Sequence, residues 1–231
     1  MMKKDEFERT LQNPLEYWGV KYSDEVRELL GAEVAVIVGY DQINPHHCYD
    51  LFMHSLHTVD ELDDRSSLLI KTAAFFHDIG KPKVAMEKNG RLVFYGHAKR
   101  SSEITEPLLR LMGYEEDYIK TISFLINHHD DFISWVLPEE DYDHDNPYLV
   151  EITAENLSKH IESVREQNEL PDRLYTFGLW KDLLCLCCAD ASSQAELVYM
   201  NGGLIDTKKH KLKKLNRLLN LLETVKVEEQ K

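Results

Sequence analysis

The stretch AAFFHDIGKP, residues 73–82, runs through four apolar residues into His77 and Asp78, then at once into glycine, lysine and proline. An apolar run that stops on two adjacent metal-capable side chains has two readings. It is the frayed end of a core helix, or it aims both groups at something seated between helices. What the rest of the chain brings to the same place decides between them.

Working outward, apolar residues recur at helical spacing from about Asp50 to Leu62 and again from Ser66 to Ile79, joined by the polar turn DDRS. The doublet therefore closes the second of two packed helices. Beyond Lys81-Pro82 the period changes: VAMEKNGRLVFYG alternates around Asn89-Gly90, the dipeptide that favours a tight type I′ turn, and predicts a short hairpin. Helical spacing returns in KRSSEITEPLLRLMG, where Pro107 is expected to kink or shorten the helix, and after Gly113 in EEDYIKTISFLINHHD. Residues 131–151 mix aromatics, acids and two prolines and read as an ordered loop. Helices resume in ENLSKHIESVREQ, in one long segment from about Asp172 to Met200, and in the amphipathic tail KKHKLKKLNRLLNLLETV. Near the start, Ser23 is the expected cap of DEVRELL, which Gly31 ends. No internal repeat or linker divides the chain. The expected class is all-α with one short hairpin: a single domain over residues 1–231, its core at about 39–200, flanked by an N-terminal helix and the basic C-terminal helix.

Composition limits the function classes. The chain has 231 residues, 43% hydrophobic and 29% charged, enough for one substantial core. Forty-one acidic residues against 27 basic give a net charge of −14, whose field repels polyanions and argues against broad nucleic-acid binding. A small anionic substrate then needs local positive charge from a lysine, an arginine or a metal. No run approaches the roughly 18 apolar residues of a membrane helix, and the opening MMKKDEFERTLQNP holds no apolar signal segment. The expectation is a cytoplasmic protein with no membrane partner. Cys185, Cys187 and Cys188 spell a formal C-x-x-C inside LLCLCCADA, but no second pair supports zinc or redox chemistry, so these and Cys48 read as free thiols, buried in the run.

The helix assignments bring the histidines into relation. His54 lies in the helix before the one that ends in His77-Asp78, and a short connection makes such helices antiparallel neighbours. Adjacent helical positions diverge by about 100°, so His77 and Asp78 cannot share a face, yet both can flank a point over the groove beside their helix. A metal at that point answers the question posed by the doublet. Asp190, which follows the apolar LLCLCCA, is either a further ligand or an outward-pointing aspartate at a helix turn.

The order His54, His77-Asp78, Asp190, with FFHDIGKP around the doublet, resembles the HD superfamily of metal-dependent phosphohydrolases. The flanking words GYDQINPHHCYDLFMHSL and KNGRLVFYGHAKRSSE are similar to the HD domain attached to bacterial CCA-adding enzymes and its stand-alone relatives, over roughly residues 39–130. No counterpart of the nucleotidyltransferase head of those enzymes is expected in this sequence, so their nucleotide-adding activity is not implied. The resemblance implies a helical bundle in which His54, His77, Asp78 and Asp190 bind a first ion. It implies that His97 and one of His128 and His129 hold a second, with Asp78 bridging; His129 is favoured because it stands directly before the acidic residue. His57, one turn after His54, is the alternative ligand there and otherwise a surface residue. His46 and His47 cap the helix start or line the pocket, His144 sits in a solvated acidic loop, and Lys81 is a surface lysine or reaches a substrate phosphate.

Mixed imidazole and carboxylate ligands suit Mn, Fe, Co, Ni or Zn and suit Mg poorly, with one or two ions per chain. The implied function is hydrolysis of a phosphate ester on a nucleotide, a 2′,3′-cyclic nucleotide or an RNA 3′ end, with Asp78 and Lys81 as catalytic residues. Two other classes remain open: an HD-type di-iron oxygenase, and a non-catalytic module that binds nucleotide or RNA. The basic stretch KKHKLKKLNR is a local partner contact or a solvated helix face.

Overall fold

The computed structural model describes residues 1–143, 145–200 and 202–225, so His144, expected in a solvated acidic loop, lies outside the described residues. The chain is mostly helical. Four short helices come first, α1 (Lys4–Thr10), α2 (Pro14–Trp18), α3 (Ser23–Leu30) and α4 (Ala32–Ala35). The paired central helices α5 (Leu51–Asp60) and α6 (Leu68–Phe76) follow, then the single turn α7 (Lys81–Val84). The hairpin β1 (Met86–Lys88) and β2 (Arg91–Val93) leads into α8 (His97–Met112) and α9 (Glu116–His128). Beyond them lie β3 (Trp135–Val136), β4 (Val150–Glu151), α10 (Ala154–Glu166), α11 (Phe177–Ser192), β5 (Val198–Met200), β6 (Gly203–Ile205) and α12 (Thr207–Leu222).

The two central helices start where the chain supplies caps. The Asp50 carboxylate accepts the backbone N–H of Met53, and the Ser67 hydroxyl accepts that of Ile70. All residues of α6 from Ile70 to Phe76 are buried, which makes it a central helix with no solvent face, packed against α5, α9 and α11. Phe75 sits in an aromatic cluster with Phe7 at 5.2 Å, Trp18 at 5.8 Å and Phe52 at 6.0 Å between ring centroids. The buried apolar cluster runs from Met2 to Leu222, so the first and last helices pack into the same core as the middle of the chain. The AAFF run thus anchors the end of α6 in the aromatic centre, and the doublet emerges at a fixed place.

Several local expectations need correction. The doublet lies just past α6, with His77 as its C-cap, because the helix ends at Phe76 rather than Ile79. Ser23 does not cap α3; Tyr22 is the N-cap, and the Glu25 carboxylate accepts its backbone N–H while the Ser23 hydroxyl donates to the carbonyl of Ala35. Asp50, not His46 or His47, caps α5. Pro107 does not shorten α8, which runs through it for 16 residues. The segment from Asp172 to Met200 is not one helix: α11 stops at Ser192, and Val198–Met200 pairs antiparallel with Gly203–Ile205. The apolar Leu197 to Met200 fits either period, and Gly202 at φ +83° supplies the turn conformation that separates them. Cys48 is exposed, being in the loop before α5, whereas Cys187 is buried and all four thiols are free.

The first hairpin has Lys88 opposite Arg91, with Asn89 at φ +54° and Gly90 at φ +74°, the two positive values a type I′ turn demands. Gly80, by contrast, has an ordinary φ and is needed for space. A Cβ there would stand 2.5 Å from the backbone N of Ser101 and 2.8 Å from the carbonyl oxygen of His97, and the Gly80 N–H donates to the Ser101 hydroxyl at 2.9 Å. Gly80→Ala is therefore expected to force α7 away from the first turns of α8 and to cost about 1–3 kcal/mol in denaturant unfolding. A change below about 0.5 kcal/mol would show that this approach is not tight.

Candidate metal centre

Four helix ends and one helix interior converge on one point. His54 comes from the middle of α5, His77 and Asp78 from the end of α6, His97 from the first position of α8, His129 from the residue after α9, and Asp190 from the last turns of α11. Each of three rings donates Nδ1–H to the carbonyl three residues earlier: His77 to Ala74 at 2.7 Å, His97 to Phe94 at 2.9 Å, and His129 to Ile126 at 2.6 Å. A carbonyl only accepts, so Nδ1 carries a proton and Nε2 is the ring atom turned inward, free to take a metal or, without one, a second proton, which is the orientation a metal ligand requires. His54 is held through Nδ1 by the Ser193 hydroxyl at 2.9 Å, and that hydroxyl also bonds Thr58 at 2.9 Å.

The donor atoms form two sets that share one carboxylate. His54, His77, Asp78 and Asp190 offer atoms all within 4.8 Å of one another, as do Asp78, His97 and His129. In the first set His54 Nε2 lies 2.9 Å from Asp190 Oδ1 and 3.4 Å from Asp78 Oδ2, and His77 Nε2 lies 3.2 Å from Asp78 Oδ2. In the second, Asp78 presents its other oxygen: Oδ1 is 3.0 Å from His97 Nε2 and 3.7 Å from His129 Nε2. Asp78 thus turns one oxygen to each set, the disposition of a bridging ligand.

The residues fit a bound cation by three observations. His54 Nε2, His77 Nε2 and Asp78 Oδ1 are fully buried without a hydrogen-bond partner, a costly state for polar atoms. The Nε2 atoms of His97 and His129 face each other at 3.2 Å, where two lone pairs repel unless positive charge lies beside them. Burial opposes charge on His77, but the carboxylates of Asp78 and Asp190 outweigh it and hold the imidazole up at about 10. The same attraction, acting against burial, holds both carboxyls well below the usual carboxylate range. The cluster calls for positive charge, and its two-nitrogen, two-oxygen first set suits a divalent transition metal.

The remaining candidates fall outside the cluster. His128 points away: its Nδ1 lies 2.7 Å from Asp131 and its Nε2 3.2 Å from Glu169, and Asp131 also meets His160 at 3.1 Å. His57 stacks on Tyr49 at 4.0 Å. Lys81 is buried, with its ammonium 2.6 Å from Asp78 Oδ2 and 2.9 Å from Gln42 Oε1. The cluster opens into a cleft of about 530 Å³ lined by His46, His47, Lys81, Arg91 and Asp130 among others. Asp130, with its side chain 33% exposed, stands 3.2 Å from His97 Nε2.

Sequence reasoning missed Gln42, Asp130, Ser193 and Gln194, whose Nε2 lies 3.2 Å from both Asp190 oxygens. Ser193 carried a signal, since it stands three residues after Asp190 and so shares its helix face. Gln42 carried none, because its partner lies 39 positions away. No helix among the described residues is long and apolar enough to cross a membrane.

No curated protein matches the chain. Residues 46–157 match the family model of the HD domain, which covers five of the six clustered residues and stops before Asp190. The HD-domain match thus spans just under half of the chain and takes in most of a histidine and aspartate cluster with the geometry to hold metal.

Proposed function

We propose that this protein, as a single HD domain, is a metal-dependent phosphohydrolase acting on a nucleotide, a 2′,3′-cyclic nucleotide or an RNA-end phosphate ester. The observation that carries the metal dependence is the shared Asp78 carboxylate, with one oxygen in each of two adjoining donor sets. His54, His77, Asp78 and Asp190 would hold a first divalent ion, and Asp78, His97 and His129 a second. Such ions supply Lewis acidity toward phosphoryl oxygens and acidify a nucleophilic water. The choice of nucleotide-type substrates rests on the resemblance of residues 39–130 to the HD domain of CCA-adding enzymes.

The chain's own residues do the rest. The three backbone carbonyls at Ala74, Phe94 and Ile126 fix the imidazoles, so the centre needs little reorganisation on binding. Asp78 is buried and holds the geometry, while Asp130 faces the cleft and is placed to accept a proton from an attacking water. Lys81 pins Asp78 Oδ2 and brings positive charge to the cleft wall. Lys81→Ala should keep its metal and lose on the order of tenfold or more in kcat/KM, at least ~1.4 kcal/mol of transition-state stabilisation. Unchanged kinetics would confine Lys81 to a structural role beside Asp78 and Gln42.

A paired histidine and carboxylate centre also serves the di-iron oxygenase reading, and the shared Asp78 favours neither chemistry. The test is a panel of nucleotides, 2′,3′-cyclic nucleotides and a generic aryl phosphate, assayed with added Mn, Fe, Co, Ni and Zn. Release of phosphate or ring opening without dioxygen supports hydrolysis. Turnover that requires iron and dioxygen, with no phosphatase activity, overturns it. Metal retention with no turnover on either arm would leave a binding module.

A further inference from the structure

Two cations on the cleft have no carboxylate partner. Arg91 opens β2 and is exposed; Lys211 lies early in α12 and is half-buried. Both line the cleft over the cluster. Both also act on His46, whose imidazole is lowered first by burial and then by the charges of Lys211 and Arg91. Among the described residues neither forms an ion pair. Asp190 and Asp130 are the acidic groups whose charges act on Lys211, yet neither forms an ion pair with it.

The single hydrogen bond of Lys211 goes to Gln194 Oε1, a neutral acceptor. Gln194 has only one workable orientation. Its amide nitrogen faces the Asp190 carboxylate, which only accepts, and its oxygen faces an ammonium, which only donates. Lys211 is thereby held at the rim of the cluster with two of its three N–H donors uncommitted. A partly dehydrated ammonium with one neutral partner carries a desolvation cost that an anion would offset. Lys81 cannot serve in the same way, because its ammonium is already engaged by Asp78 and Gln42. Residue 211 also lies outside the matched 46–157, so α12 brings it to the site from beyond the family match.

We propose that Arg91 and Lys211 form a second anion subsite, which holds a further phosphoryl group of the substrate while the scissile one lies at the metal-ligand cluster. The substrate class is then a small molecule carrying at least two phosphoryl groups. The inference rests on the phosphohydrolase reading for the scissile group, whereas the subsite itself is a binding property. In a chain of net charge −14 it supplies the local positive charge that such an anion needs.

The probes are inorganic phosphate and methylenebisphosphonate, one and two phosphoryl groups that no phosphohydrolase step can cleave, titrated calorimetrically into metal-loaded protein. The wild type is expected to bind the bisphosphonate at least ~10-fold more tightly than phosphate. Arg91→Met and Lys211→Met are each expected to cut that ratio to about 3-fold or less, with phosphate affinity and metal content unchanged. A wild type without the preference, or a preference that survives both substitutions, overturns the subsite. Equal loss for both anions in Lys211→Met, with falling metal content, would also overturn it, by showing that Lys211 acts only through Gln194 on Asp190. The expected ratios in a protein that hydrolyses no phosphate ester would instead count against the phosphohydrolase reading and leave the subsite standing.

Discussion

Replacing His77 or Asp78 by alanine is expected to abolish hydrolysis, with kcat/KM falling at least ~10³-fold, about 4 kcal/mol of transition-state stabilisation. The two variants should differ in metal. His77 offers a nitrogen to the first donor set alone, so His77→Ala loses that ion; Asp78 has an oxygen in each set, so Asp78→Ala loses both. Asp78→Ala also leaves the buried Lys81 ammonium without its carboxylate, which threatens the fold itself. Asp78→Asn keeps the shape and one acceptor oxygen for the Lys81 ammonium, and serves as the second variant. Plasma mass spectrometry of each variant, with far-UV circular dichroism as the folding control, reads the result. Full metal content in folded His77→Ala and Asp78→Asn would sink the ligand assignment.

His129→Ala is expected to lower the metal stoichiometry from about two to about one, because the second set keeps only Asp78 and His97, fewer protein ligands than a stable site uses. The first ion should stay, since none of its four ligands is touched. His128→Ala is the matched control one residue away. That ring is bonded to Asp131 and Glu169 and should leave the metal count unchanged while costing some stability. If His128→Ala removes an ion and His129→Ala does not, the second set is wrongly drawn. A wild type that never holds more than one ion under metal-replete conditions would turn His97 and His129 into phosphate-binding or proton-transfer groups.

What could be read from the sequence follows from where the candidate ligands sit. His54, the doublet and His97 lie on or beside helices whose spacing and turn residues are local signals, and the all-α class follows from the same periods. Choosing His129 over His128 needed the place where α9 stops, which one residue shifts by about 100°. Asp190 was open because its outcome depended on α11 packing beside α5 and α6, a contact across more than 100 residues. The second hairpin was misread as helix since Leu197 to Met200 satisfies both the helical and the strand period. Gln42 and Lys211 escaped for a different reason: amides and surface-type lysines have no characteristic spacing, and only the folded chain brings them to Lys81 and Gln194.

The central claim is that these six side chains are one metal centre. The most direct measurement is elemental analysis of the wild-type protein purified without chelator and then equilibrated with Mn, Fe, Co, Ni or Zn. Close to two equivalents of a divalent transition metal per chain, and no less than one, are expected to be retained through gel filtration. A folded wild type that retains no transition metal after this treatment would contradict the claim.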